Sequence, residues 1–453
     1  MGEYDATPRP DVAPPTRWEF PLPTTTMLDN GLTVHTYHLP GQYVVSARLV
    51  VPLSVASEPR DKEGVASLMT RLLDEGTTRH TTDEFTELLE RKGVAFGAGL
   101  SDGGLHVDVD VPARRLRDAL ELMVAAVSEP SFPADQVRRL VRSRLAEIEQ
   151  ERASAPHRAA RELATTFFDP TERASRPTAG ASETVSGLTR EDVSAFHATH
   201  VGPAGATLIV AGDLSGRDVE AALRATFGSW SSGPMPLAPR RRVPKRATDA
   251  TRVVLVDRPD SVQAEIAVAC AGPDRHVTPS WAAYPVLGFV LGGAPTARLD
   301  AVLREEKGYT YGMRAGFRPR RAGGMFVVSG SVRTEVAAPA LSLVLEILQR
   351  AHAGFTDSEL ADGVDFIVGT APGRFATADA VAEEAAGLVL DGLSMEFTTQ
   401  NLDVMRTLTP AALTAAYERF VDDQWTIVVV GDATAYAEQI RALGIGNVSV
   451  VAN

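Results

Sequence analysis

Two hydrogen-bond donors stand out in the segment LGGAPTARLDAVLREEKGYTYG, residues 291–312: the guanidinium of Arg298 and the phenol of Tyr311. An amide under attack develops negative charge on its carbonyl oxygen, and donors fixed in place favour that charge. Neither group generates a nucleophile. An arginine paired with a surface acid and a tyrosine packed in a core use the same residue types, so the residues alone leave both readings open. The other chemistry-bearing side chains offer no metal set. His35 and His38, three positions apart on a strand, face opposite sides. His197 and His200 stand one helical turn apart with no acidic ligand nearby in the sequence. Cys270, the one cysteine, lies in an apolar run and reads as a small core residue.

Local signals position the two donors. A helix over 295–307 is predicted from a proline near its first turn, apolar Leu299, Val302 and Leu303, and Gly308 as the stop. Arg298 then falls in the first turn and Tyr311 just past the end. Gly292 and Gly293 let the backbone bend tightly before it. Further helices are expected over 62–75, 82–92, 137–166 and 378–390. Strands are expected at GLTVHTYHL, VVSARLVVPL, GLHVDVDVP, RVVLVDRP, AEIAVACAG and MFVVSGSV, from period-two alternation or β-branched runs. Helices are expected to cover one face of each sheet, an α+β arrangement.

At 453 residues the chain exceeds one ordinary core, and length alone suggests about three or four packing units. The net charge of −13 argues against nucleic acid or an anionic membrane as a partner and leaves a basic peptide open. A single cysteine excludes an internal disulfide and suits a reducing compartment. The polar, proline-rich start has no apolar core of signal-peptide length, and no run of about 18 apolar residues is evident later. A cytoplasmic location is therefore expected.

The sequence repeats itself once. ATLIVAGDLSGRDVEAALRATFGSW and WTIVVVGDATAYAEQIRALG each run from an apolar strand through Gly-Asp into a helical pattern, with Gly212 and Gly431 219 positions apart. Phe132 and Phe355 sit in matching contexts, and so do the helical patterns starting at 116 and 338. Three ordered matches indicate a duplication into two halves. They divide the chain into an N-terminal polar tail, 1–22, a first half, 23–230, a Pro- and Arg-rich linker, 231–251, and a second half, 252–453.

KEGVASLMTRLLDEGTTRH places Val65, Leu68, Met69, Leu72 and Leu73 in a core-facing stripe. This stretch resembles the first helix of the pitrilysin/insulinase-type zinc metallopeptidases (inverzincins), in the bacterial branch similar to mitochondrial processing peptidase. Those enzymes carry H-x-x-E-H there: two imidazoles hold zinc and the glutamate activates water. Here the motif positions are Ser67, Thr70 and Arg71, and none can perform its role. A hydroxyl is a poor neutral zinc ligand, and Arg71 sets a permanent cation where the dication belongs. The family's third ligand would fall near Glu147 or Glu149. VVLVDRPDSVQAEIAVACAG with the 291–312 segment resembles the start of the family's C-terminal half, where an arginine and a tyrosine form a paired substrate site. The matches are Arg298 and Tyr311. The resemblance runs from about Trp18 to the C-terminus.

It implies two homologous α/β-sandwich halves, each a mainly antiparallel sheet covered by helices, that close as a clamshell with a partner chain. It also implies a zinc-free subunit of a heterodimeric metalloendopeptidase, inactive alone. No cofactor is expected in this chain, and zinc is expected in a homologous partner bearing H-x-x-E-H. The ligand would be a peptide, and an edge strand near 94–100 would accept it by strand addition or serve the interface. Two other readings stay open: a scaffold of the same fold, like the core proteins of respiratory complexes, and a stand-alone peptide-binding module.

Overall fold

Each apolar run expected to be a strand becomes part of one of two six-stranded sheets in a computed structural model that describes residues 16–231 and 241–453. The first sheet holds β1 (Thr24–Met27), β2 (Thr33–His38), β3 (Val44–Pro52), β4 (Ala95–Leu100), β5 (Gly104–Pro112) and β6 (Thr207–Gly212), ordered β1-β2-β6-β3-β5-β4. The second holds β7 (Arg252–Asp257), β8 (Gln263–Gly272), β9 (Arg314–Pro319), β10 (Gly324–Arg333), β11 (Thr426–Gly431) and β12 (Asn447–Ala452), ordered β12-β7-β11-β8-β10-β9. Five strands of each sheet correspond slot by slot. In both, a parallel pair (β2 with β6, β7 with β11) adjoins an antiparallel run. Only the sixth strand differs: β1 pairs antiparallel with β2, while β12 runs parallel to β7. The two Gly-Asp echoes end β6 and β11, which are fully buried in equivalent slots. The chain is thus a duplicated, mainly antiparallel α+β fold, as the repeat predicts. Residues 232–240 of the predicted linker, and 1–15 of the predicted tail, lie outside the described residues.

Three expected helices have different bounds. The 137–166 run is two helices, Ala134–Ala153 and Ala155–Phe167, parted at Ser154, whose backbone is extended (φ −90°, ψ 118°). Pro156 explains the break: its ring is accepted in a first helical turn but not in a helix interior. The 62–75 run is helical only over Val65–Thr70, with turns beyond. The 295–307 helix begins at Arg298, because Ala297 N–H bonds Ala294 O at 3.0 Å and Pro295 occupies the second position of that turn. The stretch Ala283–Glu306 is apolar enough by composition to cross a membrane, with mean hydropathy 1.4. Its backbone leaves helical geometry at Gly292 and its apolar residues face the core.

The expectation that helices cover one face of each sheet is corrected, because both faces are covered. The second face is covered by exchange. Helix Ala155–Phe167, from the first half, lays Ala159, Leu163 and Phe167 on Val256 and Ala269 of the second sheet and on Val428 and Val430 beside them. Helix Ala378–Asp391, from the second half, packs on β3 and β6 of the first sheet. There Val50, Ile209 and Ala211 join the core of the second half, and Arg48 on β3 bonds Asp379 at the helix start. Central strands β6 and β11 are apolar on both sides for this reason; a strand with one wet face would alternate.

Candidate functional site

The 291–312 segment is held by backbone geometry before any side chain acts. A Cβ on Gly292 would lie 2.4 Å from the backbone nitrogen of Ala315, so glycine is required for close approach to β9. After Glu306 the chain closes with Gly308 at φ +63°, Gly308 N–H bonding Arg304 O (3.1 Å) and Tyr309 N–H bonding Leu303 O (2.8 Å). Thr310 Oγ1 donates to Ser331 O at 2.7 Å and accepts from Gly312 N–H at 3.0 Å. The fully buried carboxylate of Asp300 accepts from Met313 N–H (2.7 Å) and from Arg314 Nη1 (2.9 Å). Tyr311 is therefore carried on a turn anchored on both sides, and its side chain is 94% exposed.

Arg298 does other work. Its Nε and Nη2 donate to Glu359 at 2.6 and 2.8 Å, its Nη2 also reaches Gly354 O at 2.9 Å, and its guanidinium lies 4.5 Å from the centre of the Phe355 ring. Glu359 also closes a capping box with Thr356 at the start of helix Asp357–Arg374. Arg298, helped by the Thr356 contacts, holds the Glu359 carboxyl down to about 2 against the opposing pull of burial. Arg298 thus braces the segment against a helix N-terminus.

The structure does not bring Arg298 and Tyr311 together. Tyr311 lines a shallow depression of about 790 Å³ with Arg304, Val262, Gln263, Ser331 and Arg333, and Arg298 is not part of its wall. Arg304 is the residue that sequence reasoning passed over. The signal was in the helix itself: positions six apart point about 120° away from each other, so Arg298 and Arg304 cannot share a face. Arg304 lies in the last turn before the Gly308 stop, next to the turn that carries the phenol.

In the first half, the predicted core stripe is buried: Val65, Leu68, Met69, Leu72 and Leu73 are at most 5% exposed. Thr70 is also buried and bonds back to Ala66 O at 2.8 Å. Ser67 is half-buried. Arg71 reaches across to Glu147, with Nη1 and Nη2 2.9 and 2.8 Å from the two carboxylate oxygens. Ser143 and Arg144 complete the ring around Glu147. Arg71 is the main reason the Glu147 carboxyl lies below the usual glutamate range. Glu149 is exposed, so the carboxylate opposite the altered motif is Glu147, and a guanidinium fills the place beside it. Among the described residues no three metal-ligating side chains converge.

The histidines take structural partners. His35 Nδ1 lies 2.8 Å from Thr25 Oγ1, and His38 Nδ1 accepts from Leu214 N–H. His197 Nε2 contacts Val127 O at 2.9 Å, and its ring packs edge-on to Phe132. Burial pushes His35, His197 and His200 below the usual histidine value. Cys270 is fully buried, and burial pushes its thiol well up.

A duplicated sandwich with Ser67, Thr70 and Arg71 on its first helix and an anchored tyrosine turn in the other half defines the class of protein: a peptidase-like fold with no metal-ligand cluster among the described residues. Comparison with known proteins agrees. Residues 33–181 match the insulinase family (peptidase family M16), and residues 187–365 match the peptidase M16 inactive domain. An uncharacterized zinc protease of Mycobacterium tuberculosis is 26% identical over 341 residues, spanning 74% of this chain and 76% of that one. The non-peptidase homologue YmxG of Helicobacter pylori is 21% identical over 353 residues, 77% of this chain and 80% of its own length. The solved peptidase M16 inactive domain from Pseudomonas fluorescens superposes with a TM-score of 0.82 at 24% identity, covering 90% of this chain and 97% of that one. A chain of complex III from Candida albicans shares the fold, with a TM-score of 0.74 at 16% identity over 92% of this chain and 99% of that one. The chain belongs to the M16 peptidase family, and residues 187–365 match that family's inactive domain.

Proposed function

We propose that this chain is the zinc-free subunit of a two-chain metalloendopeptidase in the cytoplasm. It grips a peptide while a homologous partner with H-x-x-E-H supplies zinc and the activated water. The observation that carries this reading is Tyr311: a phenol 94% exposed on a turn anchored by Thr310 and Asp300, with Arg304 on the same depression. Exposed aromatic side chains held this rigidly are costly in water and suit a contact made on assembly. In this reading Tyr311 and Arg304 donate to substrate carbonyls at the partner's metal, and Arg298 holds their segment in place. The partner's zinc acts as Lewis acid and water activator; this chain's residues orient and polarise the amide.

The test is reconstitution. The pure chain should hydrolyse no peptide, and addition of an H-x-x-E-H homologue should give zinc-dependent cleavage. Cleavage by the chain alone, with stoichiometric zinc bound, would overturn the proposal. A scaffold role is the second reading, favoured by the commitment of Arg298 to Glu359 and by the shared fold with a chain of complex III. It requires that a reconstituted pair keep full activity after Tyr311→Phe and Arg304→Ala.

A further inference from the structure

A second cavity, of about 370 Å³, lies where the two halves meet. The first half contributes the β4–β5 turn and the 171–178 loop, the second half the β9–β10 turn, and residues 241–244 complete the wall. Along β10 it sits at the end opposite the Tyr311 depression, roughly 30 Å away at strand rise. Seven arginines and four carboxylates line it, in a chain whose overall charge is −13.

The pairing does not come out even. Arg173 holds Glu58 (2.8 Å), Arg242 holds Glu172 (2.5 Å), Arg320 holds Asp102 (2.5 Å), and Arg241 holds Asp274 just outside (2.8 Å). Arg60 and Arg176 share Glu63. Arg321 has no carboxylate among the described residues. Its Nη1 makes one long contact, 3.4 Å, to Gly103 O, and its Nε is hidden from solvent without a partner. Asp391, the other nearby acid, is engaged by Arg275. Burial pushes the Arg321 guanidinium below its usual value, against the pull of the Asp391 carboxylate and with the neighbouring Arg241 cation adding to it. Asp391 and Asp102 act on Arg321 without bonding it; a half-buried guanidinium with no direct ion pair is destabilising, and a planar fork of donors matches an oxyanion.

We propose that this interhalf cleft binds a small multivalent oxyanion, of the phosphate or polycarboxylate class, which docks on Arg321 with the neighbouring Arg241 beside it and ties the two halves together. The cleft is distinct from the peptide-handling turn, so the proposal stands whether or not the chain acts in a peptidase. The test is titration of the full chain with inorganic phosphate and, separately, with citrate, at matched ionic strength, followed by calorimetry and thermal unfolding. Saturable binding near one equivalent, with a rise in Tm of a few degrees, is expected for at least one anion. Binding of phosphate alone identifies a phosphate site, and binding of both identifies a general oxyanion site. Arg321→Gln should weaken binding by about tenfold or more, the loss expected for a charge-assisted contact. If that variant does not fold, Arg241→Gln should show the same loss. No saturable binding of either anion, or binding unchanged in the folded variants, overturns the proposal.

Discussion

Arg71 grips Glu147 through both terminal nitrogens, at 2.9 and 2.8 Å. The helix that ends at this pair, Val65–Thr70, is packed in the core. The guanidinium satisfies the carboxylate, and among the described residues no three metal-ligating side chains converge.

Removing that cation should cost little. The two side chains are about one-third exposed, at 36% and 35%, and pairs of this kind contribute about 0.2–1 kcal/mol. Arg71→Met should lower unfolding free energy by that amount in urea titrations at pH 7. Because the Glu147 carboxyl is depressed in the folded chain, the difference from the parent should be full above pH 4.5 and fade as the pH falls below it. A loss of several kcal/mol, or one independent of pH, would show that Arg71 does something else.

The Arg298 brace should matter more. Glu359 titrates at about 2 in place of 4.5, so its stabilisation is complete above pH 4.5 and is lost as the pH falls toward 2. After allowance for solvent around a pair about one-quarter exposed, Arg298→Ala should cost about 1–2 kcal/mol. It should also move the acid unfolding midpoint upward. Circular dichroism across pH 2–7 measures both, and unchanged acid stability would remove the bracing role.

Tyr311 should behave in the opposite way. Its ring is almost fully exposed, so Tyr311→Phe should leave Tm unchanged within about 0.5 kcal/mol of stability. In a reconstituted pair the same change should lower kcat, by about 10²-fold if the phenol donates to the developing oxyanion. Arg304→Ala should reduce activity similarly, with heterodimer formation intact by size-exclusion chromatography. A variant that loses stability and keeps activity would place Tyr311 in the fold and not at the substrate.

Two glycines of the segment separate two kinds of constraint. Gly292→Ala forces a Cβ to 2.4 Å from the backbone of Ala315 and should cost about 1–3 kcal/mol through strain. Gly308→Ala meets no atom within 4 Å but keeps φ at +63°, so about 1 kcal/mol is expected. Chemical denaturation of the two variants ranks them; equal losses would show that the close approach relaxes freely.

The helix exchange predicts that neither half stands alone. Residues 252–453 expressed by themselves lack helix Ala155–Phe167 and expose Val254, Val256, Ala267, Val428 and Val430. That fragment should aggregate, and coexpression with residues 16–231 should restore a soluble complex. A monomeric, cooperatively folding fragment would show that the exchanged helix is dispensable.

The sequence by itself determined the duplication, the strands, the core stripe of the first helix and the loss of the zinc ligands. Each of these is written in local periodicity or in residue chemistry at fixed positions: Gly212 and Gly431 end equivalent strands, and no packing turns Arg71 into a metal ligand. It also marked Tyr311, through the Gly308 stop that leaves the phenol outside the helix. Only the tertiary structure decided which arginine shares its surface. Helix geometry sets Arg298 and Arg304 on different faces, but the commitment of Arg298 to Glu359, 61 positions along the chain, is visible only in the folded chain. The helix exchange was beyond reach for the same reason. A buried face on a helix shows in its pattern, but which sheet buries it depends on contacts between residues far apart in the chain, and periodicity carries no address for those.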